Sequence, residues 1–254
     1  MLALHLVLLN LLKVVQTLRD HEVMPLISND FNDETVPGSE MASHLELRET
    51  RSPVDDVDDV DGKHLEQSFR ELEVTEELLA RAKEAPELPA DICSDGTWHL
   101  SGDFKVTKRL EIYKRCSITA HGVTLFLEHH LWFTETVHFH GKFRVVALWP
   151  LDEACVVLGH GIVEPDAVLR LAGCQNANDV GYADGGAIYV SGNLDVRGEL
   201  HIRDSWANQT GGAIYVYDNF TQSGGTLTIA NSSAQKGGAI YVEQGSFTQS
   251  GGTL

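Results

Sequence analysis

The sequence predicts an all-β fold, a single-stranded parallel β-helix of about seven rungs, and three observations predict it. The string Gly-Gly-Ala-Ile-Tyr-Val fills 185–190, 211–216 and 237–242, so identical units recur every 26 residues. A period of roughly 20 to 50 residues marks stacked repeats, in which no unit buries its apolar face until a neighbour covers it. A looser unit, in which two alternating apolar pairs flank a glycine, starts at 98, 118, 137, 155, 194, 220 and 247. Alternation on both sides of a glycine describes two short strands meeting at a bend. Gly-Gly-Ala-Ile-Tyr-Val adds a third strand, and 109–112 and 130–133 take its place in the earlier rungs. Three short strands per turn of 19 to 27 residues fit a β-helix, whereas a propeller blade needs ~40 residues.

Residues 1–28 form the first segment. Leu2 to Leu12 is mostly apolar and has the length of a signal-peptide core, yet Lys13 interrupts it and no basic residue precedes it. It reads as a signal or as an amphipathic helix, and is too short to span a bilayer. Residues 29–62 are acidic, with Asp55-Asp56-Val57-Asp58-Asp59-Val60-Asp61 at their end, and read as a disordered arm. Residues 63–91 read as helix and linker. An amphipathic helix is expected over 64–84, with Leu65, Phe69, Leu72 and Leu79 on one face and Pro86 as its stop, capping the first rung. The solenoid then occupies 92–254. The sequence ends inside a repeat, at Thr253-Leu254, so the expectation is that a C-terminal portion is missing.

Four cysteines lie within the repeats. Cys93 and Cys116 are 23 residues apart and Cys155 and Cys174 are 19 apart, each close to one rung, so each pair is a disulfide candidate. Cys155 takes an inward position in this register, which favours a staple over a nucleophile. In a secreted chain the sequons at Asn208 and Asn219 are glycosylation candidates. A third sequon, at Asn231, shares its position with Asp204 at a strand end, where both side chains face the backbone turn. Gly185, Gly186, Gly211, Gly212, Gly237 and Gly238 are structural repeat positions.

The segment Ile229-Ala-Asn-Ser-Ser-Ala-Gln-Lys-Gly-Gly-Ala-Ile240, with its three Gly-Gly-Ala-Ile copies, resembles the repeat of the chlamydial polymorphic membrane proteins. That family's Phe-x-x-Asn element has no match here, since Ile229 lies two residues before Asn231. The resemblance covers about 165–254 and implies a pectin-lyase-like, right-handed parallel β-helix with an adhesin-like role at the cell surface. The family's C-terminal membrane barrel is not in this sequence.

The superfamily so implied also contains polysaccharide lyases and hydrolases, which use clustered carboxylates on the outer face. The catalytic candidates are Asp152, Glu153, Glu164 and Asp166, with Asp179 and Asp184, around insertions at 159–167 and 174–184. His121 and His140 hold the same outward position in consecutive turns of the sequence register, with His138 two residues before His140 on that face, and the three are metal candidates. Lys105, Arg144 and Arg170 share another such column, and Thr221, Thr226, Thr228, Thr248 and Thr253 crowd the last rungs. No cofactor motif is present. A net charge of −18 excludes a phosphate-binding, nucleic-acid role. The expectation is a non-catalytic repeat protein whose extended polar face binds carbohydrate or a cell-surface ligand, outside the cell or on its surface. The alternative is a polysaccharide-active lyase or hydrolase with its site near 152–184.

Overall fold

A computed structural model describes residues 74–89, 91–178 and 184–254. Segments 1–28 and 29–62, and the first part of the expected helix, lie outside the described residues. What is described is all-β apart from one helix, α1 (Glu76–Glu84). The strands are β1 (Thr97–Leu100), β2 (Phe104–Val106), β3 (Leu110–Ile112), β4 (Cys116–Leu127), β5 (Leu131–Ala147), β6 (Val156–Val163), β7 (Val168–Ala172) and β8 (Gln175–Asn176). They continue with β9 (Ile188–Val190), β10 (Leu194–Val196), β11 (Glu199–Ala207), β12 (Ile214–Val216), β13 (Phe220–Gln222), β14 (Thr226–Ser233), β15 (Ile240–Val242) and β16 (Phe247–Gln249).

Every pairing between these strands is parallel, and together they make one sheet. The pairings run in three series. One joins β1, β4, β5, β6, β10, β13 and β16; a second joins β2, β4, β5, β7, β11 and β14; a third joins β3, β5, β6, β9, β12 and β15. The long strands β4, β5 and β6 bend from one series into the next. Alternate residues of all three series enter one core, including Ile118, Phe139 and Val196 from the first, Leu125, Leu171 and Ile202 from the second, and Phe133, Leu158 and Ile214 from the third. The sheet therefore curls around that core, and each fully buried Leu, Ile or Phe contributes about 1.5–3 kcal/mol.

The paired glycines of the repeat have two separate causes. Gly185, Gly211 and Gly237 hold φ of 68°, 63° and 56°, the left-handed region that side chains avoid. At Gly186 and Gly212 the constraint is space, since a Cβ would stand 2.2 Å and 2.1 Å from the carbonyl oxygens of Gly212 and Gly238. Close approach lets the Gly186 and Gly212 N–H groups donate to the carbonyls of Gly211 and Gly237, each at 3.1 Å, carrying the backbone ladder across the bend. Asp204 and Asn231 occupy a second bend at φ of 53° and 49°, and Asn231 Nδ2 donates to Asp204 Oδ1 at 2.5 Å. The two side chains bond each other across consecutive strands.

The register differs from the sequence expectation in two places. Cys116 pairs with Val137 and Ile118 with Phe139, so β4 is displaced by two residues from the alignment of Ile118 with Val137; a bulge at Gly122 interrupts the ladder, and the displacement continues beyond it, where Leu125 pairs with Val145. Residues 155–159 do not begin the first series. Val156 and Leu158 point inward in the third, between Leu131 and Phe133 on one side and Ile188 and Val190 on the other.

Thr75 Oγ1 accepts from the Leu78 N–H at 3.2 Å to start α1, and Ala85 turns extended before Pro86 to end it. The helix buries Leu78 and Ala82 against the outward side chains Phe126 and Val146, while Leu79 is exposed. The face expected from Leu79 is thus turned by one residue. Arg81 ties the helix to Asp103 at 2.6 Å. Next to β2 it is the stretch 86–88 that meets the sheet, with the Leu88 N–H donating to Lys105 O and the Lys105 N–H to Pro86 O, both at 2.8 Å.

Candidate functional site

The outward positions of the third series form one column: Glu111, Trp132, Val157, Tyr189, Tyr215 and Tyr241. The tyrosines come from the repeated string, so their rings fall in register and stack, with centroids 4.9 Å apart between Tyr189 and Tyr215 and 5.9 Å between Tyr215 and Tyr241. Tyr215 is 3% exposed, and its hydroxyl donates to Glu243. Stacked faces are not free to meet a ligand. At the other end of the column the Arg109 guanidinium lies 4.3 Å from the Trp132 ring centre and is itself paired with Glu111 at 2.6 Å.

Between Trp132 and Tyr189 the column carries Val157, which is too small to continue the stack. A cleft of about 230 Å³ opens there, with Trp132 and Tyr189 in its walls, Val157 in its floor and Glu153, Asp184 and Ser191 at its rim. Two strand spacings separate the walls, ~9.6 Å between backbones.

The two acidic residues are anchored differently, Glu153 through its neighbouring backbone and Asp184 through its side chain and carbonyl. Glu153 sits in the turn before Cys155, and the Cys155–Cys174 disulfide fastens that turn to the insertion after β7. Asp184 ends the same insertion; its Oδ1 accepts from Thr210 Oγ1 at 2.5 Å, and its carbonyl accepts from the fully buried Asn176 amide at 3.1 Å. Beneath Glu153 lies His130, 3% exposed, with Nε2 3.4 Å from Glu153 Oε2 and Nδ1 3.8 Å from Asp152 Oδ1. Burial pushes the His130 imidazole below its ordinary pKa, against the pull of Glu153, so the neutral ring is favoured. Neither ring nitrogen makes a hydrogen bond.

The acidic candidates divide between two places. Glu153 and Asp184 share the cleft, with Asp152 exposed beside it, whereas Glu164 and Asp166 follow β6 and pair with histidines of β5. His138 Nδ1 is 2.7 Å from Glu164 and His140 Nδ1 is 3.1 Å from Asp166. Arg197 adds a contact to Glu164 at 3.4 Å and to Asp195 at 2.7 Å. Asp179 lies outside the described residues. The displaced register sets His121 opposite Lys142 and His140 opposite Thr119, so the three histidines do not converge. Among the described residues no group of His, Cys, Asp and Glu is arranged to hold a metal ion.

Arg144 does pair with Arg170, but Lys105 stands opposite Phe126 and leaves that column for the same two-residue reason. Thr221 pairs with Thr248, and Thr226 with Thr253. Cys93 is bonded to Cys116, with Cα atoms 5.5 Å apart, and Cys155 to Cys174, at 5.7 Å. Asn219 is exposed, although its Nδ2 donates to Asn193 Oδ1 at 3.0 Å; Asn208 is half-buried and donates to Asn178 O at 3.2 Å. Among the described residues no helix is long and apolar enough to cross a membrane.

Sequence reading missed the cleft walls. The signal was present in Tyr189 of the repeat and in Trp132 of the segment placed with it. The missing piece was Val157, assigned to another strand series. Comparison with protein-family models, with curated proteins and with solved structures finds no match to this chain.

Proposed function

We propose that this chain is a non-catalytic, pectin-lyase-like parallel β-helix of about seven rungs, displayed on or outside the cell, that binds an extended glycan. The Trp132–Val157–Tyr189 cleft carries this reading. Sugar rings present apolar C–H faces that pack on aromatic rings and hydroxyls that donate to carboxylates, and the cleft offers both kinds of partner. Along this column the cleft is where a small side chain, Val157, interrupts the row of large ones, and it is the anchoring point in this reading. Two disulfides fit an oxidising compartment, in keeping with the resemblance to a surface-displayed repeat family.

The presence of Glu153 and Asp184 in the cleft keeps one alternative, a polysaccharide-active lyase or hydrolase. Screening against a panel of neutral, acidic and aminated oligosaccharides separates the two. The expected result is saturable binding without release of product, weakened at least about tenfold by Trp132→Ala, the equivalent of ~1.4 kcal/mol. Steady appearance of reducing ends or unsaturated sugar, abolished by Glu153→Gln or Asp184→Asn, would put the enzyme in its place.

A further inference from the structure

We propose that His130 and the Asp152–Glu153 turn form a pH-sensing clasp, in which protonation of the ring draws both carboxylates out of solvent and onto its two nitrogens. The geometry of the cluster carries this. His130, 3% exposed, stands just before β5, and the turn lies over it with Glu153 Oε2 3.4 Å from Nε2 and Asp152 Oδ1 3.8 Å from Nδ1. Neither nitrogen makes a hydrogen bond. A neutral imidazole has one N–H and one lone pair, so in either tautomer one nitrogen turns a lone pair toward a carboxylate. Only the imidazolium has a donor for each. The slot is therefore shaped for the charged ring and stands open around the neutral one, with the Asp152 side chain 80% exposed and that of Glu153 23% exposed.

The charged groups facing the ring are Glu153 and Asp152 from the turn, Arg109 from the position before β3, and His129 beside it in the chain. Burial is the largest influence and favours the neutral ring; Arg109 and His129 act in the same direction, while both carboxylates oppose them, Glu153 more strongly than Asp152. Arg109 itself lies on the Trp132 ring and is engaged by Glu111, which leaves the turn's carboxylates to the histidine. The ring charges only below its ordinary value of about 6.5. The backbone is fixed on both sides of the turn. The Leu151 N–H donates to Gln175 O at 2.8 Å, the Leu131 N–H donates to Cys155 O at 3.0 Å, and Cys155 is bonded to Cys174. Closure is thus confined to the Asp152 and Glu153 side chains and the backbone between those anchors, so the clasp acts without opening a rung. At neutral pH the turn presents two carboxylates to solvent, and below the transition both are engaged by the ring. The device goes beyond the glycan reading and does not depend on what the neighbouring cleft binds.

The test is an NMR titration of the full chain from about pH 8 to about pH 4.5, a range that brackets the imidazole and reaches the carboxylates. The signals followed are those of the His130 ring and of the Asp152 and Glu153 amides and carboxyls. Wild type, His130→Gln and the Asp152→Asn/Glu153→Gln double variant are compared, with melting temperatures as the folding control. The expected result in wild type is one shared midpoint, below about 6.5, for the ring and for the amides of both turn residues. In His130→Gln those amides should lose that step and keep only the ordinary carboxylate titration near pH ~4. In the double variant the His130 midpoint should fall further, by about one pH unit or more, because the ring loses two opposite charges within ~4 Å. Turn amides that ignore the His130 midpoint would overturn the clasp, as would a His130 midpoint that lies at or above about 6.5 or does not fall in the double variant. Where His130→Gln fails to fold, the double variant, altered only at the two turn side chains, carries the test alone.

Discussion

At the scale of single residues, His130 and the repeat glycines carry the sharpest consequences. A buried imidazole whose folded pKa is depressed is charged more readily in the unfolded chain. Stability is therefore intact above the unfolded value of about 6.5 and falls as pH drops through the folded pKa. The melting temperature should decline between pH 7 and pH 5, and His130→Gln should flatten that decline; an unchanged slope would remove the role assigned to burial. Gly212→Ala forces a methyl to within 2.1 Å of the Gly238 carbonyl oxygen and 2.4 Å of Ser233 O, both backbone atoms that cannot swing aside. Loss of about 1–3 kcal/mol is expected by analogy with overpacked cores. Gly102→Ala, where nothing lies within 4 Å of the new methyl, should cost far less. The sequence identified these glycines as structural but could not divide them into φ and space, since that depends on which backbone lies opposite.

At the scale of elements, the inward and outward faces were legible and the register was not. Alternation assigns each side chain to a face, and a slide of two residues preserves every such assignment. That is why His121 was aligned with His140 when it stands opposite Lys142, and why Lys105 was set beside Arg144. The segment 155–158 defeats alternation altogether, because Cys155, Val156, Val157 and Leu158 are all buried and either parity reads as a core strand. The cysteine pairs, by contrast, followed from separation alone. Phe143, 4% exposed and packed on Phe139 at 5.5 Å, tests the face assignment. Phe143→Ala should cost about 3–5 kcal/mol, whereas Lys142→Ala next to it on the exposed face should stay within about 0.5 kcal/mol. Comparable losses in denaturant unfolding would contradict the parity of β5.

At the scale of the whole molecule, the parallel repeat is what turns residues distant in sequence into a site. Trp132, Val157 and Tyr189 come together because each occupies the same outward position of successive strands, and the cleft exists because the middle one is small. The all-β parallel architecture followed from the 26-residue period and the glycine-centred units. The cleft did not, because it needed the absolute register. Filling the gap tests this account most directly: Val157→Tyr places a large side chain in the cleft between Trp132 and Tyr189. The account predicts that this variant melts no lower than wild type and no longer binds the oligosaccharide that wild type binds. A Val157→Tyr protein that folds and binds that oligosaccharide with wild-type affinity would contradict it.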